Sequence, residues 1–239
     1  MILKSIENLS YLSILAIEKI PELFNLSGGL LANNPLLTSL EIISCPKLCS
    51  LPSELGNLTA LKSLTIRWCQ ELSSLPQGLQ NLKALESLEI SDCHSIVSLP
   101  HDGIGSLSSL RTLSIENCSN LASLSKSFQH LTSLEHLTVM YCPSLGSLPE
   151  GVQHLSALRS LTILSCPGFL SLPEGLQYVT TLQCLEIGIL SWSDRVAGVG
   201  GEPCFAWIFD NFRLSIFKIF ARGSKSSQCT LTHHNSRLS

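Results

Sequence analysis

Six cysteines stand at nearly equal intervals: Cys45, Cys69, Cys93, Cys118, Cys142 and Cys166 are separated by 24, 24, 25, 24 and 24 residues. The residues leading to each share one template, seen in LTSLEIISC, LKSLTIRWC, LESLEISDC, LRTLSIENC, LEHLTVMYC and LRSLTILSC. The register extends back to LSILAIEKI (12–20), with Ile20 at the cysteine position, and forward to LQCLEIGIL (182–190), with Leu190 there, so eight repeat starts are counted. After each cysteine an apolar residue lies three on. Ser-Leu-Pro then follows at 50–52, 74–76, 98–100, 147–149 and 171–173, and fails at Leu124-Ser125. A unit of this size cannot bury its apolar face alone. It must stack on copies of itself, which rules out most globular folds.

The spacing inside the unit says what each coil contains. In L-x-I two apolar residues alternate with polar ones, the period of a short strand buried on one face. L-P-x-x-L-x-x-L has the spacing of a short helical turn opened by proline. The full unit, L-x-x-L-x-I-x-x-C-x-x-L-x-S-L-P-x-x-L-x-x-L-x-x, resembles the leucine-rich repeat, whose ninth position takes Asn or Cys. The expected fold is an α/β repeat solenoid, a horseshoe with a parallel sheet on its concave side and short helical or irregular turns on its convex side.

Asp92-Cys93-His94 looks at first like a gathering of acid, thiol and base. A reactive thiolate needs an electropositive, partly open setting, whereas the repeat turns Cys93 inward at the end of a strand. The other five coils carry a cysteine there without a following histidine. A structural role is therefore expected for Cys93, and no enzyme. His94, His101, His130, His136 and His154 lie on different coils without metal-ligand spacing, and Gly198-Val199-Gly200-Gly201 and Gly223-Ser224-Lys225-Ser226 lack the spacing of a phosphate-binding loop, so no metal and no cofactor are expected. With 15 Lys and Arg against 18 Asp and Glu, the net charge of −3 fits neither a nucleic-acid binder nor a polybasic membrane anchor. Lys4 and Glu7 interrupt the opening residues MILKSIENLS, and a cytoplasmic chain without stable membrane association is expected. Asn8, Asn25, Asn57 and Asn117 sit in N-x-[ST] triplets that carry no meaning in such a compartment.

Function on this scaffold is expected from the third, fifth, seventh and eighth template positions, which the core leaves free. The third and fifth are small or acidic, as in Ser39, Ser63, Ser87, Ser160, Glu41, Glu89 and Glu186. The seventh and eighth vary far more. Arg67, Trp68, Asp92, Glu116, Asn117, Met140, Tyr141 and Leu164 are expected to form a partner-binding stripe, because they include types enriched at protein contacts and stand where no core demands them.

The repeat solenoid is expected over 1–190 and starts halfway round a coil, an uncovered edge that leads us to expect a piece of a longer protein. A Gly-rich linker follows at 191–203. In 204–221 the spacing of Phe205, Phe209, Phe212, Ile216 and Phe220 predicts an amphipathic capping helix. The last residues, 222–239, are expected to be disordered.

The consensus S-x-L-P-x-x-L-x-x-L-x-x-L-x-x-L-x-I-x-x-C over about 6–190 resembles the leucine-rich-repeat region of plant intracellular nucleotide-binding disease-resistance receptors. That resemblance implies a protein-recognition module whose partner is a pathogen effector, a guarded host protein or the receptor's own nucleotide-binding domain. The residues given contain no such domain and no coiled coil. An intracellular leucine-rich-repeat scaffold or ubiquitin-ligase adaptor subunit is the alternative, although the I-T-D signature of the adaptor repeats is absent.

Overall fold

The computed structural model describes residues 8–188, 206–210 and 213–220. Eight five-residue strands, β1 (Ile14–Glu18), β2 (Ser39–Ile43), β3 (Ser63–Arg67), β4 (Ser87–Ser91), β5 (Thr112–Glu116), β6 (His136–Met140), β7 (Ser160–Leu164) and β8 (Cys184–Gly188), lie side by side in chain order and pair in parallel. Equal template positions face one another across every pair: Leu40 opposes Leu64, Leu64 opposes Leu88, Leu88 opposes Leu113. The apolar residues of each strand thus stack into continuous columns and the core runs unbroken from Leu15 to Ile187. Register is fixed because a one-residue slip would carry a whole column to the other face.

The convex turns record the length of each coil. Where successive template positions are 24 apart, the turn is a 3₁₀ helix, as at Ser53–Asn57, Gln77–Asn81, Lys126–His130, Val152–His154 and Glu174–Tyr178. The two coils of 25 residues, from Ile20 to Cys45 and from Cys93 to Cys118, instead carry the α-helices α1 (Gly28–Ala32) and α2 (His101–Ile104). Hydrogen bonding agrees: Leu55 N–H donates three residues back to Pro52 O at 3.1 Å, whereas Ile104 N–H donates four back to Pro100 O at 3.4 Å. The extra residue is absorbed by changing three residues per turn into 3.6. Proline sits at the N-cap of the turns beginning at Ser53, Gln77, His101 and Glu174. Where Ser-Leu-Pro fails, Ser125 occupies the cap, and its hydroxyl accepts the Ser127 N–H at 3.2 Å.

One coil departs from the template inside the core. The position held by Leu58, Leu82, Leu107, Leu131 and Leu155 in later coils is Asn34 in the first complete one, and it is fully buried. Its Nδ2 donates to Leu9 O and Leu30 O, both at 2.8 Å, and its Oδ1 accepts the Leu12 N–H at 2.9 Å. The side chain completes the hydrogen bonding of the chain that leads into β1, with both its donors and its acceptor used, as a buried amide requires.

The sheet does not end at β8. The backbone forms β9 (Ala206–Asp210) and β10 (Arg213–Phe220), antiparallel to each other, with β10 antiparallel to β8, so that Phe217 opposes Ile187. This replaces the capping helix expected over 204–221. Trp207, Ile208 and Phe209, and then Ile216, Phe217, Ile219 and Phe220, are aromatic and β-branched types that favour extended backbone, and β8 would otherwise leave a row of unpaired peptide groups. The expected linker over 191–203 and tail over 222–239 lie outside the described residues. Among the described residues, no helix is long and apolar enough to cross a membrane.

Candidate functional site: the concave sheet face and its rim

On β1 to β7 the fourth and sixth template positions are buried, and the third, fifth and seventh turn to the opposite face. Simple alternation would then bury the eighth position and expose the cysteine. The reverse is found, because the eighth residue of each of the first seven coils adopts left-handed backbone: Lys19, Ser44, Trp68, Asp92, Asn117, Tyr141 and Ser165 have φ between 50° and 57°. This single residue resets the phase, ends the strand and swings the next side chain inward. Its backbone N–H donates to the seventh-position carbonyl of the following coil at 2.6–3.0 Å, from Lys19 to Ile43 through to Ser165 to Gly188. A left-handed non-glycine residue costs roughly 1–2 kcal/mol, and this bond together with burial of the following thiol offsets it.

The consequence for Cys93 is clear. Its sulfur is buried, and its S–H lies 3.3 Å from Ser91 O and 3.9 Å from Ile66 O of the preceding coil. Every ladder cysteine has the same pair of carbonyls around it, one from its own strand and one from the coil before. Hydrogen bonding with the Cys69 thiol, and then burial, hold Cys93 protonated far above the ordinary thiol range. Cys142 is held up likewise by Cys118, Cys166 and burial. None of this is the setting of a nucleophile. Among the described residues, no group of three or more His, Cys, Asp or Glu is placed to hold a metal ion.

The residues singled out in the sequence fall into two adjacent rows at the C-terminal ends of the strands. In the seventh-position row, Arg67, Ser91, Glu116, Met140 and Leu164 are successive register partners on β3 to β7. The Arg67 guanidinium reaches across to Glu89 on β4 in an ion pair, and Glu116 accepts the Ser114 hydroxyl at 3.0 Å. In the eighth-position row, Trp68 stands 47% exposed, Asp92 accepts a hydrogen bond from Asn117 Nδ2 at 2.5 Å, Asn117 is exposed, and Tyr141 and Met140 are half-buried. Trp68 and Tyr141 are three coils apart, roughly 14 Å at ~4.8 Å per strand.

Leu164 does not stand free. It is 5% exposed, flanked by Met140 on one side and by the close backbone of Gly188 on the other, so an aliphatic chain there collapses onto its neighbours and leaves water. Ser91, short between Arg67 and Glu116, is covered too, at 6%. Two features of the surface escaped the sequence reading. Glu18, at the seventh position of β1, extends the acidic series to the first coil. The second template position, just before each strand, alternates in sign as Lys62, Glu86, Arg111, Glu135 and Arg159, with Lys62–Glu86 at 3.6 Å, Arg111–Glu135 at 2.8 Å and Arg159–Glu135 at 3.6 Å. Both are visible once the repeats are aligned position by position.

A family model described as a leucine-rich repeat region matches residues 1–144, well over half of the 239-residue chain. The chain belongs to the leucine-rich-repeat family. Among solved structures, the leucine-rich repeat domain of the type III effector XopL is 26% identical and aligns with a TM-score of 0.63, covering 76% of this chain and 70% of that one. A leucine-rich-repeat protein of Leptospira interrogans is 21% identical, with 80% of this chain and 57% of that chain covered and a TM-score of 0.48. The leucine-rich-repeat ectodomain of the plant membrane receptor kinase GASSHO1/SCHENGEN3 from Arabidopsis thaliana is 19% identical over 76% of this chain and 24% of that chain, with a TM-score of 0.45. No curated protein matches the chain.

Proposed function

We propose that this leucine-rich-repeat chain is the protein-recognition module of a cytoplasmic plant defence receptor. Its concave face and rim engage a pathogen effector, a guarded host protein or the receptor's own nucleotide-binding domain. The observation that carries the reading is Trp68. A large aromatic side chain is held half in water on a left-handed residue, beside Arg67 and in line with Asp92, Asn117 and Tyr141, where the core has no use for it. Aromatic and arginine side chains on a rigid sheet lose little conformational freedom on binding and dominate contact energies. The plant-receptor assignment is supported by the resemblance of the repeat consensus.

The test is site-specific photo-crosslinking in leaf tissue, with the crosslinking side chain placed at Trp68 and, separately, at Glu150 on the convex side. Adducts to one protein are expected from position 68 and not from position 150, and they should be lost on adding Tyr141→Ala. Adducts from position 150 alone, or equal labelling from both, would overturn the assignment of the concave face.

A further inference from the structure

We infer that the occupant of the concave face is a cationic protein segment, one bearing spaced lysine or arginine side chains. This inference rests on the concave-face reading above and narrows it. Glu18, Glu41, Glu89, Glu116 and Glu186 lie on the outward positions of the strands and Asp92 stands at their rim, whereas Arg67 and Lys19 supply the cations there. On β1 to β8 and their rim, six carboxylates stand against these two cations, with Lys218 of β10 as the register partner of Glu186; the acid is gathered towards β1 to β5, on the sheet face away from the leucine core.

The face also shows what satisfies it. The guanidinium of Arg67 bridges to Glu89 on the neighbouring strand, so an arginine side chain already occupies one of the acidic positions from within. Among the described residues, Glu18, Glu41, Asp92 and Glu116 have no such partner: the hydrogen bonds of Asp92 and Glu116 come from the neutral Asn117 and Ser114. Glu41 on β2 and Glu116 on β5 flank the Arg67–Glu89 pair from either side, about 10 Å and less from it at ~4.8 Å per strand. That is near the Debye length at about 0.1 M salt, so their fields add over the face. Trp68, next to Arg67 and half-exposed, offers a ring face to a second cation. An incoming segment with spaced cations would neutralise carboxylates that the chain leaves open. A nucleic acid or an anionic lipid surface would meet repulsion.

The test is binding of a fluorescein-labelled peptide of alternating lysine and serine to the whole chain, followed by fluorescence anisotropy at ~0.05 M and ~0.3 M salt. Three proteins are compared: the unmodified chain, the triple variant E18Q/E41Q/E116Q on the concave face, and the equally neutralised E54Q/E150Q/E174Q on the convex turns. Three exposed contacts worth a factor of about two each predict an affinity loss of roughly tenfold for the concave variant at low salt and little for the convex one. No measurable binding, equal loss in both variants, or binding that the concave variant leaves unchanged would overturn the inference. The two readings fail separately: if photo-crosslinking from position 68 captures a partner that binds E18Q/E41Q/E116Q as tightly as the unmodified chain, the concave-face reading stands and the cationic occupant falls, whereas adducts from position 150 alone remove the concave-face reading itself.

Discussion

Replacing Asn34 by leucine restores the residue that the repeat template calls for, and it is expected to weaken the protein. Asn34 is fully buried and engages three backbone groups, at 2.8, 2.8 and 2.9 Å. Burying a leucine in its place gains about 1.5–3 kcal/mol of transfer free energy. Against this, the Leu30 carbonyl and Leu12 N–H forfeit their partners at about 1–3 kcal/mol each where water cannot reach. The balance is a loss of about 2 kcal/mol, or ~30-fold in an opening equilibrium. Coils touch only their neighbours, so the loss is local. Hydrogen exchange of the amides in β1 is expected to accelerate ~30-fold, with those of β4 to β6 unchanged. Unaltered β1 protection, or a rise in the urea midpoint, would refute the idea that this amide and not its volume holds the first coil in place.

Two further outcomes follow from the stacked rows. Burial pushes the Cys45 thiol up, so its contribution to stability is fully present below the unfolded thiol value and is lost as pH rises above it, where the unfolded chain releases a proton that the folded one retains. Urea midpoints measured from pH 8 upward should fall, and less steeply in Cys45→Ala. Glu135, between Arg111 at 2.8 Å and Arg159 at 3.6 Å, is expected to contribute about 0.5–1 kcal/mol at low salt; Glu135→Gln should lower the urea midpoint accordingly, and the difference should vanish near 1 M salt.

The fold was legible because the same residue types recur at the same positions, and apolar periodicity dictates both the strand and the stack. The column of Leu40, Leu64 and Leu88 could be drawn from the sequence alone. Direction at the strand ends was harder. The step of two from Leu to Ile and of three from Ile to Cys is the trace of the left-handed residue, and its backbone angle follows from needing Cys93 inward after Ser91 and Asp92. Leu164 shows the limit of position-based reasoning: the template says which way a side chain starts, and neighbours such as Met140 decide whether water reaches it. The phenylalanine spacing over 205–220 mimics a helical period, yet an open sheet edge and a run such as Ile-Phe-Lys-Ile-Phe favour extended chain. Partner identity leaves no periodic trace at all, since it resides in the residues that differ between coils.

The two longer coils add a different kind of control. One residue inserted between Pro100 and Ile104 turns a narrow 3₁₀ turn into a wider, shorter-rising α turn on the outside of the stack, while Ser87, Glu89 and Ser91 on the inside keep their register with β5. The outer circumference is therefore adjustable coil by coil without altering a residue on the inner face. Insertions and deletions on the convex side act as a length gauge for the radius of the cradle, so two chains with the same contact residues can select partners of different breadth.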